Sequence, residues 1–150
     1  SDRNPLWDLK IVGDGELEQD ILALITSLGL VNRIFLLGKR HDIPELLVAS
    51  HLFCLPSKWE GFPNALAEAM AQGLPSVGLW NCSGVRDLIV NYETGRLTDE
   101  LGLPKTLDEL MHDPESRRSM GFNAQAHISK YSPDEAFKCW DDLLSKFKSY

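Results

Sequence analysis

The sequence predicts an α/β protein: a doubly wound parallel sheet flanked by helices, with a helical C-terminus. Three observations predict it. Short apolar runs bounded by glycine or proline alternate with segments whose apolar residues recur at helical spacing. Each connection between apolar runs is short and holds one helix, so neighbouring strands run parallel. Beyond Gly95-Arg96-Leu97 the strand signals stop and helical periodicity continues to the end.

At 150 residues, 43% hydrophobic and 25% charged, the chain is enough for one soluble globular domain with a real core, assigned here to residues 1–150. A formal charge of −7 argues against a nucleic-acid or acidic-membrane surface, which would need a basic patch. Cys54, Cys82 and Cys139 are odd in number and widely spaced, supporting neither a disulfide framework nor a zinc site. No apolar run approaches the ~18 residues of a membrane span, and the N-terminus has no signal-peptide pattern. A reducing, cytosolic setting is the default expectation.

In chain order, Ser1 to Trp7 reads as an arm. The first strand is Asp8–Gly13. Gly13-Asp14-Gly15 turns into a helix carrying Ile21, Leu24, Ile25 and Leu28 at helical spacing, with Gly29 as its stop. As a nucleotide fingerprint this turn is weak, because the third glycine is absent and Glu16, Glu18 and Asp20 put negative charge where a phosphate would dock. The second strand, Arg33–Gly38, leads through Lys39-Arg40-His41 to Asp42, an expected N-cap for a helix through Ile43, Leu46 and Leu47. Lys39 and Arg40 follow a strand end, where ligands bind in open parallel sheets; the alternative for both is a solvated loop.

The third strand contains Leu52-Phe53-Cys54-Leu55 and ends at Pro56, with Cys54 as a core residue. The fourth is Pro75–Leu79, followed by a Ser83-Gly84 turn into a short helix with Arg86 and Asp87. Gly95-Arg96-Leu97 is the short edge strand. Helices follow over Pro104–His112, Pro114–Lys130 and Pro133 to about Lys148. The last places Ala136, Phe137, Trp140, Leu143, Leu144 and Phe147 on one stripe, for which core packing is the default.

The stretch around which the rest is organised runs from Ser57 to Pro75. Gly61 and Pro63 turn the backbone into a helix starting near Pro63, and Gly73 and Pro75 end it. Glu60 lies just ahead of this helix and Glu68 more than a turn inside it. On a continuous helix the two positions would stand about 80° apart, so they flank the helix mouth rather than stack. Between them are free backbone N–H groups. That arrangement suits an anionic group on the helix start with hydroxyl-bearing groups on either side. The structural alternative is a pair of glutamates that favour the helix and its dipole.

Glu60-Gly61-Phe62-Pro63-Asn64-Ala65-Leu66-Ala67-Glu68, followed by Ala-Met-Ala-Gln-Gly-Leu-Pro, resembles the Glu-x7-Glu signature of the retaining, nucleotide-sugar-dependent glycosyltransferases of the family-four type. Their GT-B fold has two Rossmann-like halves, and the resemblance covers about Leu9 to Tyr150, most of the C-terminal, donor-binding half. It implies that Glu60 contacts the donor sugar and acts as the catalytic group, and that Glu68 binds the ribose hydroxyls. The backbone of Gly61, Phe62, Pro63, Asn64 and Ala65 would hold sugar and diphosphate, and the loop of Lys39 and Arg40 the base. Ser83-Gly84 with Asp87 resembles the family's Gly-x-x-Glu-x-Ile turn, which can face the sugar. His51 stands where the family often has an aspartate.

The implied function is transfer of a hexose or N-acetylhexosamine from a UDP-sugar to a lipid-linked or polysaccharide acceptor in bacterial surface-glycan synthesis. It would proceed without a metal or other cofactor, at the inner face of the cytoplasmic membrane. The acceptor-binding N-terminal domain, and roughly 30 residues of the donor half that usually supply the diphosphate's Arg and Lys, are expected to be missing. Lys58 and Arg86 are candidates for that charge by position, and the fragment alone is expected to be inactive. In such enzymes the final helix crosses to the other half, so its stripe could instead favour self-association here. Two rivals are weighed: an NAD-dependent dehydrogenase, suggested by Gly13-x-Gly15 but lacking the full fingerprint, and a non-catalytic nucleotide-binding or scaffolding α/β domain.

Overall fold

A computed structural model describes residues 4–147 and divides them into two compact units, one ending at Leu46 and one beginning at Leu47. The first is a strand–helix–strand unit of β1 (Leu9–Ile11), α1 (Glu18–Ser27) and β2 (Ile34–Leu36), with the strands parallel and Leu9 opposite Ile34. Gly29 stops α1 as expected: at φ +68° its N–H reaches the Thr26 carbonyl, while that of Leu30 reaches back to Ile25, the paired closure of a Schellman end. The segment from Asn4 to Trp7 is not a free arm. Arg33 donates to Asp8 at 2.9 Å, to the Asn4 carbonyl at 2.8 Å and to the Trp7 carbonyl, and so fastens it. Residues 1–3 lie outside the described residues. α2 (Ile43–Val48) carries the chain onward.

The second unit holds β3 (Phe53–Leu55), α3 (Asn64–Ala71), β4 (Ser76–Leu79), α4 (Ser83–Leu88), β5 (Gly95–Thr98), α5 (Leu103–His112), α6 (Pro114–Ile128), a 3₁₀ turn (Ser129–Tyr131) and α7 (Pro133–Phe147). Its sheet has the order β3-β4-β5, all parallel, with β5 at the edge as expected. β4 is buried along its whole length, as a strand covered on both faces must be. Alternation along β3 shows the two layers. Phe53 and Leu55 pack on a cluster that includes Leu66, Met70, Val85 and Ala124, whereas Cys54 points to the opposite cluster of Val77, Leu110 and Met120. Asp113 caps α6, accepting from the Ser116 N–H at 2.9 Å, with Pro114 next in line.

Cys54 is half-buried and packs against the core cluster, on the strand its sequence context implied, and burial pushes its thiol up to about 11 from an ordinary 9.0. Folding therefore favours the protonated thiol. Its stabilising contribution is complete below pH 9.0 and is lost as pH rises through about 11. At pH 8, a thiol-alkylating reagent is expected to modify exposed Cys139 first, with Cys54 and buried Cys82 protected until the protein unfolds. Mass spectrometry of timed samples checks the order, and early labelling of Cys54 would contradict this placement.

The stripe on α7 does not pack into the core. No α7 residue is buried, and Phe137, Trp140, Leu143, Leu144 and Phe147 are all exposed. The physical reason is order in the chain: α6 already closes the main cluster through Ala124 and Ile128 before α7 begins. Lys148, the predicted last residue of this helix, lies outside the described residues.

Candidate functional site

The loop from Pro56 to Pro63 joins the end of β3 to α3. The helix starts next to Pro63, as expected, with Pro63 itself at the cap position, because its ψ of 87° is not helical. From there its carbonyl accepts from the N–H groups of Leu66 at 3.0 Å and Ala67 at 3.1 Å. Proline offers no N–H, and no side chain caps this helix. Among the described residues the N–H groups of Gly61, Phe62, Asn64 and Ala65 have no recorded acceptor. A helix start with unpaired donors and the positive end of the dipole is an anion site in waiting. Gly73, at φ +73°, closes the other end as expected, with a Schellman pair to Met70 and Ala69.

The helix sorts its residues by face. Leu66, Ala69 and Met70 enter the core, while Asn64, Ala65 and Glu68 are exposed together. Glu60 is half-buried in the loop ahead of them. The structure thus brings Glu60, Gly61, Phe62, Pro63, Asn64, Ala65 and Glu68 into one loop and helix start, with a carboxylate before the unpaired amides and another a turn beyond.

Two contacts hold that loop. The Phe62 ring meets Tyr131 edge-on at 5.5 Å between centroids. On the other side, buried Gly84 at the start of α4 is pressed against the loop backbone: a Cβ there would fall 2.4 Å from the Gly61 carbonyl oxygen and 2.7 Å from that of Glu60. The sequence marked Gly84 as a turn residue able to face a ligand. Its packing under Glu60 and Gly61 was missed, since no local signal names the partner of a close approach.

Lys39 and Arg40 belong to the first unit, in the loop after β2, where they line a cavity of about 440 Å³ with His41, Asp42 and Glu45. Arg40 donates to both oxygens of Asp42, at 2.8 and 2.6 Å. These hydrogen bonds hold the Asp42 carboxyl below its ordinary range and raise the guanidinium. Asp42 does stand at the start of α2, its carbonyl accepting from the Leu46 N–H at 3.1 Å, while its carboxylate serves Arg40. Lys39 is exposed and has no ion pair among the described residues. Of the positional candidates for phosphate charge, Lys58 is paired with Glu100 at 3.0 Å, whereas exposed Arg86 has no ion pair among the described residues.

A second group went unnoticed in the sequence: Trp80, Asn81, Asp99, Glu100 and Leu101 line a cavity of about 360 Å³ in the second unit. The available signal was their position, directly after the ends of β4 and β5. Among the described residues, no group of three or more His, Cys, Asp or Glu is placed to hold a metal, and no helix is long and apolar enough to cross a membrane.

The family model described as glycosyl transferases group 1 matches residues 1–127. The chain belongs to that family. Its fold is that of the GT-B glycosyltransferases: Anabaena Alr3699/HepE in complex with UDP-glucose superposes with a TM-score of 0.85 at 30% identity, over 95% of this chain and 42% of that one. An uncharacterized glycosyltransferase of Haemophilus influenzae is 33% identical over 144 residues, 93% of this chain and 40% of its own length. The UDP-Gal:alpha-D-GlcNAc-diphosphoundecaprenol alpha-1,3-galactosyltransferase of Escherichia coli is 46% identical over 90 residues, 59% of this chain and 23% of that protein. This group 1 glycosyltransferase chain therefore spans less than half the length of each of these relatives.

Proposed function

We propose that this chain is the donor-binding part of a retaining glycosyltransferase that moves a hexose or N-acetylhexosamine from a UDP-sugar to a lipid-linked or polysaccharide acceptor in bacterial surface-glycan synthesis. The observation that carries this reading is the open start of α3, whose unpaired amides lie between Glu60 and Glu68. Those amides suit a diphosphate. Glu68, exposed one turn further on, accepts from the ribose hydroxyls, and half-buried Glu60 accepts from the donor sugar beside the bond that breaks. Lys39 and Arg40 contribute to base binding through the loop backbone, since the Arg40 guanidinium is already engaged by Asp42. Similarity to a protein in complex with UDP-glucose supports the UDP-sugar, and the Escherichia coli relative's name supports a diphosphoundecaprenol-linked acceptor.

The leaving diphosphate gains negative charge as the glycosidic bond breaks. A helix terminus stabilises such charge by at most ~2 kcal/mol, which is small against an enzymatic acceleration. We therefore expect this chain alone to bind donor weakly and to turn it over poorly. The intact enzyme would work without a metal at the inner face of the cytoplasmic membrane, the protein's own donors taking the place of a cation. In its assay, a chelator should leave the rate unchanged, and the product should keep the donor's anomeric configuration by NMR. We further propose that the exposed stripe on α7 supports self-association, which sedimentation of Trp140→Glu against the parent chain would register as a smaller species.

The direct test is a calorimetric titration of UDP, UDP-sugars and NAD. UDP should saturate the site, and Glu68→Ala should weaken it about tenfold, the effect of losing hydrogen bonds to one charged group. NAD binding, or UDP binding indifferent to Glu68, would overturn the assignment.

A further inference from the structure

We propose a saccharide subsite in the cavity at the carboxyl ends of β4 and β5, an inference that rests on the glycosyltransferase reading and adds to it the place where one pyranose ring is recognised. Leu79 and Thr98 are register partners, and the backbone N–H of Trp80 donates to the Thr98 carbonyl at 2.9 Å. Trp80-Asn81 and Asp99-Glu100-Leu101 therefore leave the sheet side by side and form the two walls of the 360 Å³ space. That volume falls within the range of small-molecule sites.

The lining has the chemistry a pyranose needs and an anion does not. Trp80 is 46% exposed, which leaves indole surface free to meet the apolar C–H face of a sugar. Asn81 offers a carboxamide that both donates and accepts. Asp99 is held in place, its Oδ1 accepting from the Gly102 N–H at 2.6 Å, and its other oxygen has no recorded partner among the described residues. Glu100 is held by Lys58 at 3.0 Å and likewise keeps one oxygen free. Two carboxylates and no lining cation disfavour a phosphate, and the same polar wall disfavours an acyl chain. Lys58 also links this cavity to the loop that carries Glu60 two residues later, so a sugar held here sits beside the candidate donor site.

The ring could be the donor's hexose or a saccharide of the acceptor, and the test separates them. The full chain, with Trp80→Ala, Trp80→Phe and Asn81→Ala, is titrated with UDP, with UDP-glucose and UDP-N-acetylglucosamine, and with the methyl glycosides of glucose, galactose and their N-acetylamino forms. Binding is read by ligand-observed NMR. Trp80→Ala and Asn81→Ala should weaken one sugar arm by about tenfold, Trp80→Phe should retain most of it, and UDP alone should be unchanged. An effect on the glycosides assigns the subsite to the acceptor; an effect confined to the gain of a UDP-sugar over UDP assigns it to the donor. Sugar binding that is absent, or indifferent to both Trp80→Ala and Asn81→Ala, overturns the subsite. Loss of UDP binding by the parent chain would instead sink the donor-site reading, and the glycoside arm would still report on this cavity.

Discussion

Glu60→Gln in the intact enzyme is expected to lower kcat by about a hundredfold or more while UDP binds within about twofold of the parent affinity. The expectation follows from where Glu60 stands. It is half-buried, its backbone carbonyl lies against Gly84, and Phe62 two residues on meets Tyr131, so the loop places this carboxylate just ahead of the open helix start. A glutamine preserves the shape and removes the charge. Under the proposed reaction it would remove stabilisation of the positive charge that develops on the sugar as the bond to diphosphate breaks, a charge confined to the transition state. The split between an affected kcat and an unaffected UDP affinity is therefore the diagnostic, measured by UDP release over a range of donor concentrations. Near-parental turnover of Glu60→Gln would remove Glu60 from the reacting centre.

The second large effect is expected from a residue packed beneath the candidate loop. Gly84→Ala places a methyl carbon where the Gly61 and Glu60 carbonyl oxygens already are, at 2.4 and 2.7 Å. Both obstacles are backbone, so the clash cannot be relieved by rotating a side chain. Either α4 shifts, at a cost of about 1–3 kcal/mol for an overpacked site, or the loop lifts and carries Glu60 and the amides of Gly61 and Phe62 with it. Denaturant midpoints and UDP-sugar titrations should show one or both, with donor affinity falling about tenfold if the loop yields. Glu93→Gln, a change at an exposed position outside the candidate site, is the control and should leave both measurements near the parent values. Parental stability and binding in Gly84→Ala would refute the buttressing role.

Much of this could be read along the chain because the information was local. Glycine and proline mark the strand and helix ends, so Gly29 and Gly73 were placed as stops and both close Schellman ends. The spacing of Glu60 and Glu68 around a helix start is likewise a one-dimensional fact. Pro63 also marked the helix start, and its ψ angle puts it at the cap position.

Contacts between distant residues were decided by the folded structure. Gly84 beneath Glu60, Lys58 on Glu100, and Arg33 holding residues 4–8 each join segments whose separation in sequence carries no signal of their approach. Arg40 and Asp42 are only two residues apart, yet nothing in that spacing announced that the carboxylate would take up the guanidinium. The stripe on α7 makes the same point in reverse. Its amphipathic period is written in the sequence, but whether such a face meets the core depends on which helix closes the core first, and here α6 does. By itself, the sequence determined the parallel α/β order and a pair of carboxylates about a helix mouth. The tertiary structure alone determined what holds that mouth open, because propensity and period act through neighbours in the chain whereas packing acts through neighbours in space.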